Sequence, residues 1–156
     1  MTIRPALPMD TPQIAAIWND IIRNTTVTFN PVEKPLDEVA DLCAQKALVW
    51  AEGDRILGFA RYFQFRGGEG YRHTAEHTIL LHPDAHGRGI GRALMDALCA
   101  DAKANGLHSI FAGCSAENTS GIAFHAACGF RTVATLPQVG FKFGRWIDLV
   151  LMQKML

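Results

Sequence analysis

The sequence predicts a mixed α/β fold in a single domain, a sheet with helices on both of its faces, and three observations carry that prediction. Strand-like and helix-like segments alternate along the whole chain without repeats. Glu52-Gly53-Asp54 is a hairpin signal between two apolar runs, so part of the sheet is antiparallel. The run His82 to Arg92 passes from an apolar strand into a helix through Gly87, Gly89 and Gly91. With 156 residues, 49% of them hydrophobic, the chain suits one domain covering 1–156.

Taken in order, Thr2 to Pro5 reads as a short strand. Asp10 is placed to cap a helix with Pro12 in its first turn, and Ile14, Ile17, Trp18, Ile21 and Ile22 recur there at the helical period. Asn24 to Pro35, with its threonines, Phe29 and Pro31, is a loop, and Leu36 to Lys46 a short helix. Leu48 to Ala51 and Arg55 to Phe65 form the hairpin, Arg66 to Arg72 a glycine-rich loop, and His73 to Leu81 a strand stopped by Pro83. Arg88 to Asn105 puts Ile90, Leu94, Ala97 and Leu98 on one helix face and ends at Gly106. Ser109 to Cys114 is a buried strand, Ser120 to Cys128 a helix closed by Gly129, and Phe130 to Leu136 and Arg145 to Met152 the final strands.

Fifteen basic residues balance 15 acidic ones, so no general field attracts nucleic acid or an anionic membrane, and neither is expected as a partner. No stretch is long and apolar enough to span a bilayer. Cys43, Cys99, Cys114 and Cys128 form no C-x-x-C pair, and the chain opens on Met1-Thr2-Ile3-Arg4 without an apolar signal segment; reduced thiols in a cytoplasm are expected. His73, His77, His82 and His86 fall close together, but strand alternation puts His82 on the face opposite His73 and His77, and His86 lies beyond a proline. No metal site is expected from them.

The glycine turn has the character of a pyrophosphate seat. Glycine accepts positive φ and close ligand approach, and a helix N-terminus offers unpaired N–H groups and partial positive charge. A dinucleotide fingerprint fails because Leu94 stands at its third glycine, and a P-loop fails because Gly91 is followed by Arg92-Ala93. What remains is a short seat for one pyrophosphate. It uses the amides of Gly87, Arg88, Gly89, Ile90, Gly91 and Arg92, with a guanidinium from Arg88 or Arg92.

His86-Gly87-Arg88-Gly89-Ile90-Gly91 resembles the acyl-coenzyme A loop of the N-acetyltransferase (GNAT) superfamily, and Asn118 to Phe130 resembles its second motif, an Asn, a helix and then Gly-Phe. Gly70-Tyr71-Arg72-His73-Thr74-Ala75-Glu76-His77, Leu136 to Gly140 and Lys142 to Trp146 are similar to the phosphinothricin and methionine sulfone/sulfoximine acetyltransferases within it. The resemblance implies a mostly antiparallel sheet of six or seven strands with about four helices, splayed between the fourth and fifth strands. It further implies a homodimer, acetyl-CoA as co-substrate, and acetyl transfer to the α-amine of a small amino acid analogue: phosphinothricin, methionine sulfoximine or methionine sulfone. Two departures stand out, His86 in place of the usual Arg or Gln and a shortened Leu36 to Leu48 segment.

On that resemblance, backbone groups of Ile79, Leu80 and Leu81 pair with the pantetheine arm, and one N–H stabilises the oxyanion. Glu76, a carboxylate in an otherwise apolar strand, is the expected general base, since partial burial raises its pKa. Asn118 anchors pantetheine or the strand-to-helix turn, and His125 lies where a proton donor helps the thiolate leave. Glu69, Gly70, Tyr71 and Arg72 are expected at the acceptor rim, with Arg72 on a carboxylate and Phe29 walling the pocket. Lys142 to Arg145, interleaved with Phe143 and Trp146, reads as sheet packing, a pocket lip or a dimer contact. The competing readings are a catalytically silent acyl-CoA-binding module and an acetyltransferase of protein or peptide amines.

Overall fold

The computed structural model describes residues 1–156 and contains one seven-stranded sheet in the order β1-β2-β3-β4-β5-β7-β6. The strands are β1 (Thr2–Pro5), β2 (Ala47–Glu52), β3 (Arg55–Gln64), β4 (Thr74–Leu81), β5 (Ser109–Ser115), β6 (Arg131–Lys142) and β7 (Arg145–Met155). Every neighbouring pair is antiparallel except β4 and β5. The helices are α1 (Thr11–Asn24), α2 (Leu36–Cys43), α3 (Ile90–Ala104) and α4 (Thr119–Ala127).

Successive strand residues point to opposite faces, and the core divides accordingly. On one face Ile14, Trp18 and Ile22 of α1 and Val39 of α2 pack on Val49, Phe59 and Leu80. On the other, Met95, Leu98 and Ala102 of α3 pack on Ala60, Ala75 and Ile110, with Ile122 and Phe124 of α4 alongside. The expected helices on both faces are therefore present.

Several expected boundaries move for local reasons. Asp10 does not cap α1. Its carboxylate pairs with Arg4 at 2.7 Å and accepts from the Leu7 N–H at 2.8 Å, closing a 3-10 turn at Pro8–Asp10 instead. α2 stops at Cys43 rather than Lys46, because Lys46 turns left-handed at φ 54°. α3 begins at Ile90 rather than Arg88, since Gly87 and Gly89 at φ 74° and 76° cannot enter a right-handed helix. β6 runs on past Leu136 to Lys142. Pro137 has no N–H to pair and sits in a bulge between Leu136 and Gly140, where Gln138 takes φ 53° and donates its N–H to Asp148 at 2.8 Å.

The feature that creates a site lies between β4 and β5. They pair in parallel only at Thr74 with Ser109, Ala75 with Ile110 and Glu76 with Phe111, and then diverge. This is the expected splay between the fourth and fifth strands.

Candidate active site

At the far end of β4 the chain turns through Pro83–Ala85 into the glycine run. The amides of Gly87, Gly89, Ile90, Gly91 and Arg92 have no partner within the protein; the first helical bond of α3 is from Ala93 N–H to Gly89 O at 3.1 Å. A Cβ built on Gly87 or Gly89 meets nothing within 4 Å, so the space over these amides is open. Unpaired amides, open space and a helix N-terminus suit a pyrophosphate. Gly91 works differently: a Cβ there lies 3.2 Å from Leu81 Cδ1 and from Phe124 Cε2, so its absence lets α3 close onto β4 and α4. Neither expected arginine faces the seat. Arg88 reaches Glu52 at 2.6 Å, and Arg92 binds Ala127 O at 2.8 Å and Asp96 at 3.3 Å. Arg88 N–H itself bonds Ala85 O at 3.4 Å.

The parted strands expose backbone. Phe65 N–H bonds Thr74 O at 3.0 Å and His82 N–H bonds Leu57 O at 2.9 Å, which fixes the alternation along β4. Even-numbered residues, Leu80 among them, bond to β3, while His77, Ile79 and Leu81 aim their backbone groups at β5. On β5, the bonds from Leu156 N–H to His108 O and from Ala116 N–H to Asp148 O assign its even-numbered residues to β7 and leave Gly113 and Ser115 facing the gap. Ile79 and Leu81 thus have open edges as expected; the Leu80 edge is taken by β3.

Where the gap opens, a cavity of about 270 Å³ is bounded by β4, β5 and the loop after α1. Glu76 lines it and makes no hydrogen bond or ion pair in the protein; burial pushes its carboxyl above the ordinary carboxylate range. A Cβ on Gly113 would lie 3.8 Å from Glu76 Oε2, an ordinary contact that places Gly113 of β5 across the gap beside that oxygen.

Asn118 and His125 reach the same cavity from α4. Asn118 Oδ1 accepts the Gly121 N–H at 3.0 Å and so caps the helix; a Cβ at Gly121 would stand 2.2 Å from Asn118 Nδ2. His125 is buried, with Nδ1 at 2.7 Å from Gly121 O and Nε2 at 3.1 Å from His77 Nε2. A carbonyl only accepts, so His125 Nδ1 carries the hydrogen, and in the neutral pair His77 Nε2 donates to His125 Nε2. That leaves His77 Nδ1 a buried acceptor without a donor. Burial lowers both imidazoles, His77 to about 3 with the His125 charge assisting. Cys114 Sγ lies 3.5 Å from His125 Nδ1, and burial pushes its thiol up to about 11.

The opposite wall is the loop 25–34. Lys142, 2% exposed, donates from Nζ to Thr25 O at 2.6 Å and to Thr28 O at 2.9 Å. Glu117 accepts from Thr26 Oγ at 3.0 Å and pairs with Arg145, clamping the loop a second time. Phe29 reaches the cavity only because Gly140 has no side chain: a Cβ there would be 2.5 Å from the ring. Glu69, Gly70, Tyr71 and Arg72 are not among the residues lining the cavity. They form an exposed 3-10 turn in which Arg72 pairs with Glu69 at 3.0 Å and contacts His73 Nε2 at 3.0 Å. Lys34 lines the cavity without having been singled out in the sequence, and Trp18 and His77, read there as a helix core position and as part of a histidine cluster, line it too. No group of three His, Cys, Asp or Glu side chains is arranged to hold a metal.

Comparison with known proteins bears on this arrangement. A family model described as "Acetyltransferase (GNAT) family" matches residues 14–130. An L-methionine sulfoximine/L-methionine sulfone acetyltransferase of Pseudomonas aeruginosa is 39% identical over 97% of this chain and 92% of its own. A phosphinothricin N-acetyltransferase of Alcaligenes faecalis is 36% identical over 98% of this chain and 81% of its own. Among solved structures, an acetyltransferase of Salmonella typhimurium with its cofactor acetyl-CoA superposes at TM-score 0.95, with 34% identity over 99% of this chain and 93% of that one. A ribosomal-protein-alanine N-acetyltransferase of Brucella melitensis superposes at TM-score 0.93, with 38% identity over 100% of both chains.

Proposed function

The chain belongs to the acetyltransferase (GNAT) family and is an acyltransferase, and on that premise we propose that it moves the acetyl group of acetyl-CoA to the α-amine of methionine sulfoximine, methionine sulfone or phosphinothricin. Bound acetyl-CoA supplies an activated acetyl group whose leaving group is a thiolate. The amides of Gly87 and of Gly89 to Arg92 fit its pyrophosphate, and the open edges of Ile79 and Leu81 fit an extended amide-bearing arm as a substitute strand. A gap-facing N–H of β4 serves the carbonyl oxygen as charge develops on it.

One observation carries the reading: an unpaired, partly buried carboxylate, Glu76, stands where β4 and β5 part, on the wall of the cavity that this reading gives to the amine and the acetyl group. Glu76 takes a proton from the substrate ammonium, directly or through a water, and frees the lone pair that attacks the thioester; its raised pKa makes it a better base for that step. His125, whose Nδ1–H is held by Gly121 O and whose Nε2 accepts from His77, serves as a neutral polar wall beside the gap. Asn118 holds the start of α4 against the arm, Phe29 shapes the acceptor side, and the Glu69–Tyr71 turn with Arg72 is assigned to the outer rim.

Two further assignments belong to this reading. The chain pairs as a homodimer through the β6–β7 hairpin, where Val133, Val139, Phe141, Phe143 and Trp146 are each more than half exposed, a row too apolar for an uncovered edge. It works in a cytoplasm, which suits four buried thiols without a disulfide.

The test is thiol release from acetyl-CoA with the three amino acid analogues, peptides and polyamines as acceptors, run beside Glu76→Gln. Turnover on the analogues and a loss of about 10²-fold or more in Glu76→Gln are expected. Tight acetyl-CoA binding without turnover would make the chain a silent binding module. Preference for an alanine-terminated peptide would move it to the protein-acetylating reading that the Brucella melitensis structure favours.

A further inference from the structure

We propose that Lys34 is the specificity-determining cation of the acceptor site, holding the free carboxylate of an α-amino acid whose amine lies toward Glu76. The proposal rests on the acetyltransferase reading above and deepens it by naming the side chain that recognises the acceptor's carboxylate.

The charged residues lining the cavity are two, Glu76 and Lys34. One carboxylate and one ammonium on the walls of a single cavity complement a molecule with one ammonium and one carboxylate. Lys34 is also held in place. Its N–H donates to Asn19 Oδ1 at 2.8 Å and its carbonyl accepts from Asn19 Nδ2 at 2.9 Å, tying this stretch of loop to α1. Its Nζ lies 5.0 Å from the centroid of the Trp18 ring, which lines the same cavity, and its side chain is only 15% exposed.

The competing partner is weak. Lys34 Nζ meets Glu38 at 3.2 Å, an i,i+4 pair whose carboxylate is 49% exposed, and such pairs contribute little. A substrate carboxylate can therefore displace Glu38, or share the ammonium with it, since three N–H donors are available. Arg72, the guanidinium that the sequence favours for this task, is outside the cavity lining, and its side chain is 60% exposed where that of Lys34 is 15%.

The experiment compares kcat/KM for methionine sulfone with that for its carboxamide, which keeps the α-amine and removes the negative charge, in the wild-type protein, Lys34→Met, Lys34→Glu, Lys34→Arg and Arg72→Met. The wild-type preference for the free acid should fall at least tenfold in Lys34→Met and further in Lys34→Glu, through the acceptor KM rather than kcat, and Lys34→Arg should restore most of it. An unchanged preference in Lys34→Met and Lys34→Glu overturns the proposal. So does a collapse confined to Arg72→Met, which would give the carboxylate to the rim. Wild-type protein inactive on both compounds overturns the assignment of methionine sulfone as acceptor, a failure visible before any variant is made and distinct from failure of the Lys34 assignment.

Discussion

His77 and His125 meet Nε2 to Nε2 at 3.1 Å, a buried contact in which only one of the two facing nitrogens can carry a hydrogen in the neutral pair. The far ends differ, His125 Nδ1 being bonded to Gly121 O while His77 Nδ1 has no partner. Burial keeps both imidazoles neutral, so the cavity that Glu76 lines has an uncharged pair on its wall.

That pair makes the fold acid-sensitive. Burial lowers His77 from its ordinary 6.5 to about 3, so between those pH values the unfolded chain binds the proton that the folded chain refuses. Stability is full above pH 6.5 and is lost as pH falls toward 3, with a slope of up to about 1.4 kcal/mol per pH unit for one proton. His77→Gln keeps an N–H donor for His125 and removes the titration. Thermal melts from pH 7 to pH 4.5 should show a shallower decline in His77→Gln than in the wild type; parallel curves would place the acid sensitivity elsewhere.

Glu76 couples activity to stability in the opposite direction. Its raised pKa means that the folded state holds the proton more tightly than the unfolded chain, so ionising it near neutrality costs stability. Glu76→Gln should therefore melt higher than the wild type at pH 7 while losing acetyl transfer, a combination that misfolding cannot produce. The acid limb of kcat/KM should also lie above the ordinary glutamate range and disappear in Glu76→Gln.

What the sequence disclosed of this site depends on how local each requirement is. Gly87 and Gly89 are legible because positive φ is a demand of the turn itself, and Glu76 because a carboxylate interrupts an apolar alternation. Asn118 is legible because capping acts over three residues. Lys34 and Trp18 meet across a loop and a helix, and the Lys142 bond to Thr25 spans 117 positions, so neither contact has a local pattern. The same reason hid the far half of β6. Pro137 reads as a strand end, yet the pairing of Gly140 with Ile147 and Phe141 with Trp146 resumes beyond the bulge. Arg72 shows the converse case: its contacts are with its neighbours in sequence, Glu69 and His73, and it is not among the residues lining the cavity.

The Lys142 clamp predicts a variant whose defect is confined to one substrate. Lys142→Met leaves Thr25 O and Thr28 O without their donor at a partly buried position, a cost of about 1–3 kcal/mol. The loop that carries Phe29 and Lys34 then loosens, while the glycine turn at the other end of β4 does not. Steady-state kinetics should show the acceptor KM rising several-fold more than the acetyl-CoA KM. Equal rises would mean that the hairpin supports the whole gap rather than its acceptor wall.

Two glycines within three residues of the turn are needed for different physical reasons. At Gly89 an added Cβ meets nothing within 4 Å, but φ is 76°, so Gly89→Ala costs about 1–2 kcal/mol of backbone strain and disturbs the unpaired amides that follow it. At Gly91 the conformation is ordinary helix, and the added Cβ would sit 3.2 Å from Leu81 and Phe124, prising α3 from the edge of the β4 gap. Gly89→Ala should raise the acetyl-CoA KM and leave the acceptor KM almost unchanged. Gly91→Ala should lower the melting temperature by loosening the contact among α3, β4 and α4. Measuring both quantities in both variants decides the assignment, because a Gly89→Ala protein with an unaltered acetyl-CoA KM would show that the free amides from Gly89 to Arg92 do not hold the pyrophosphate.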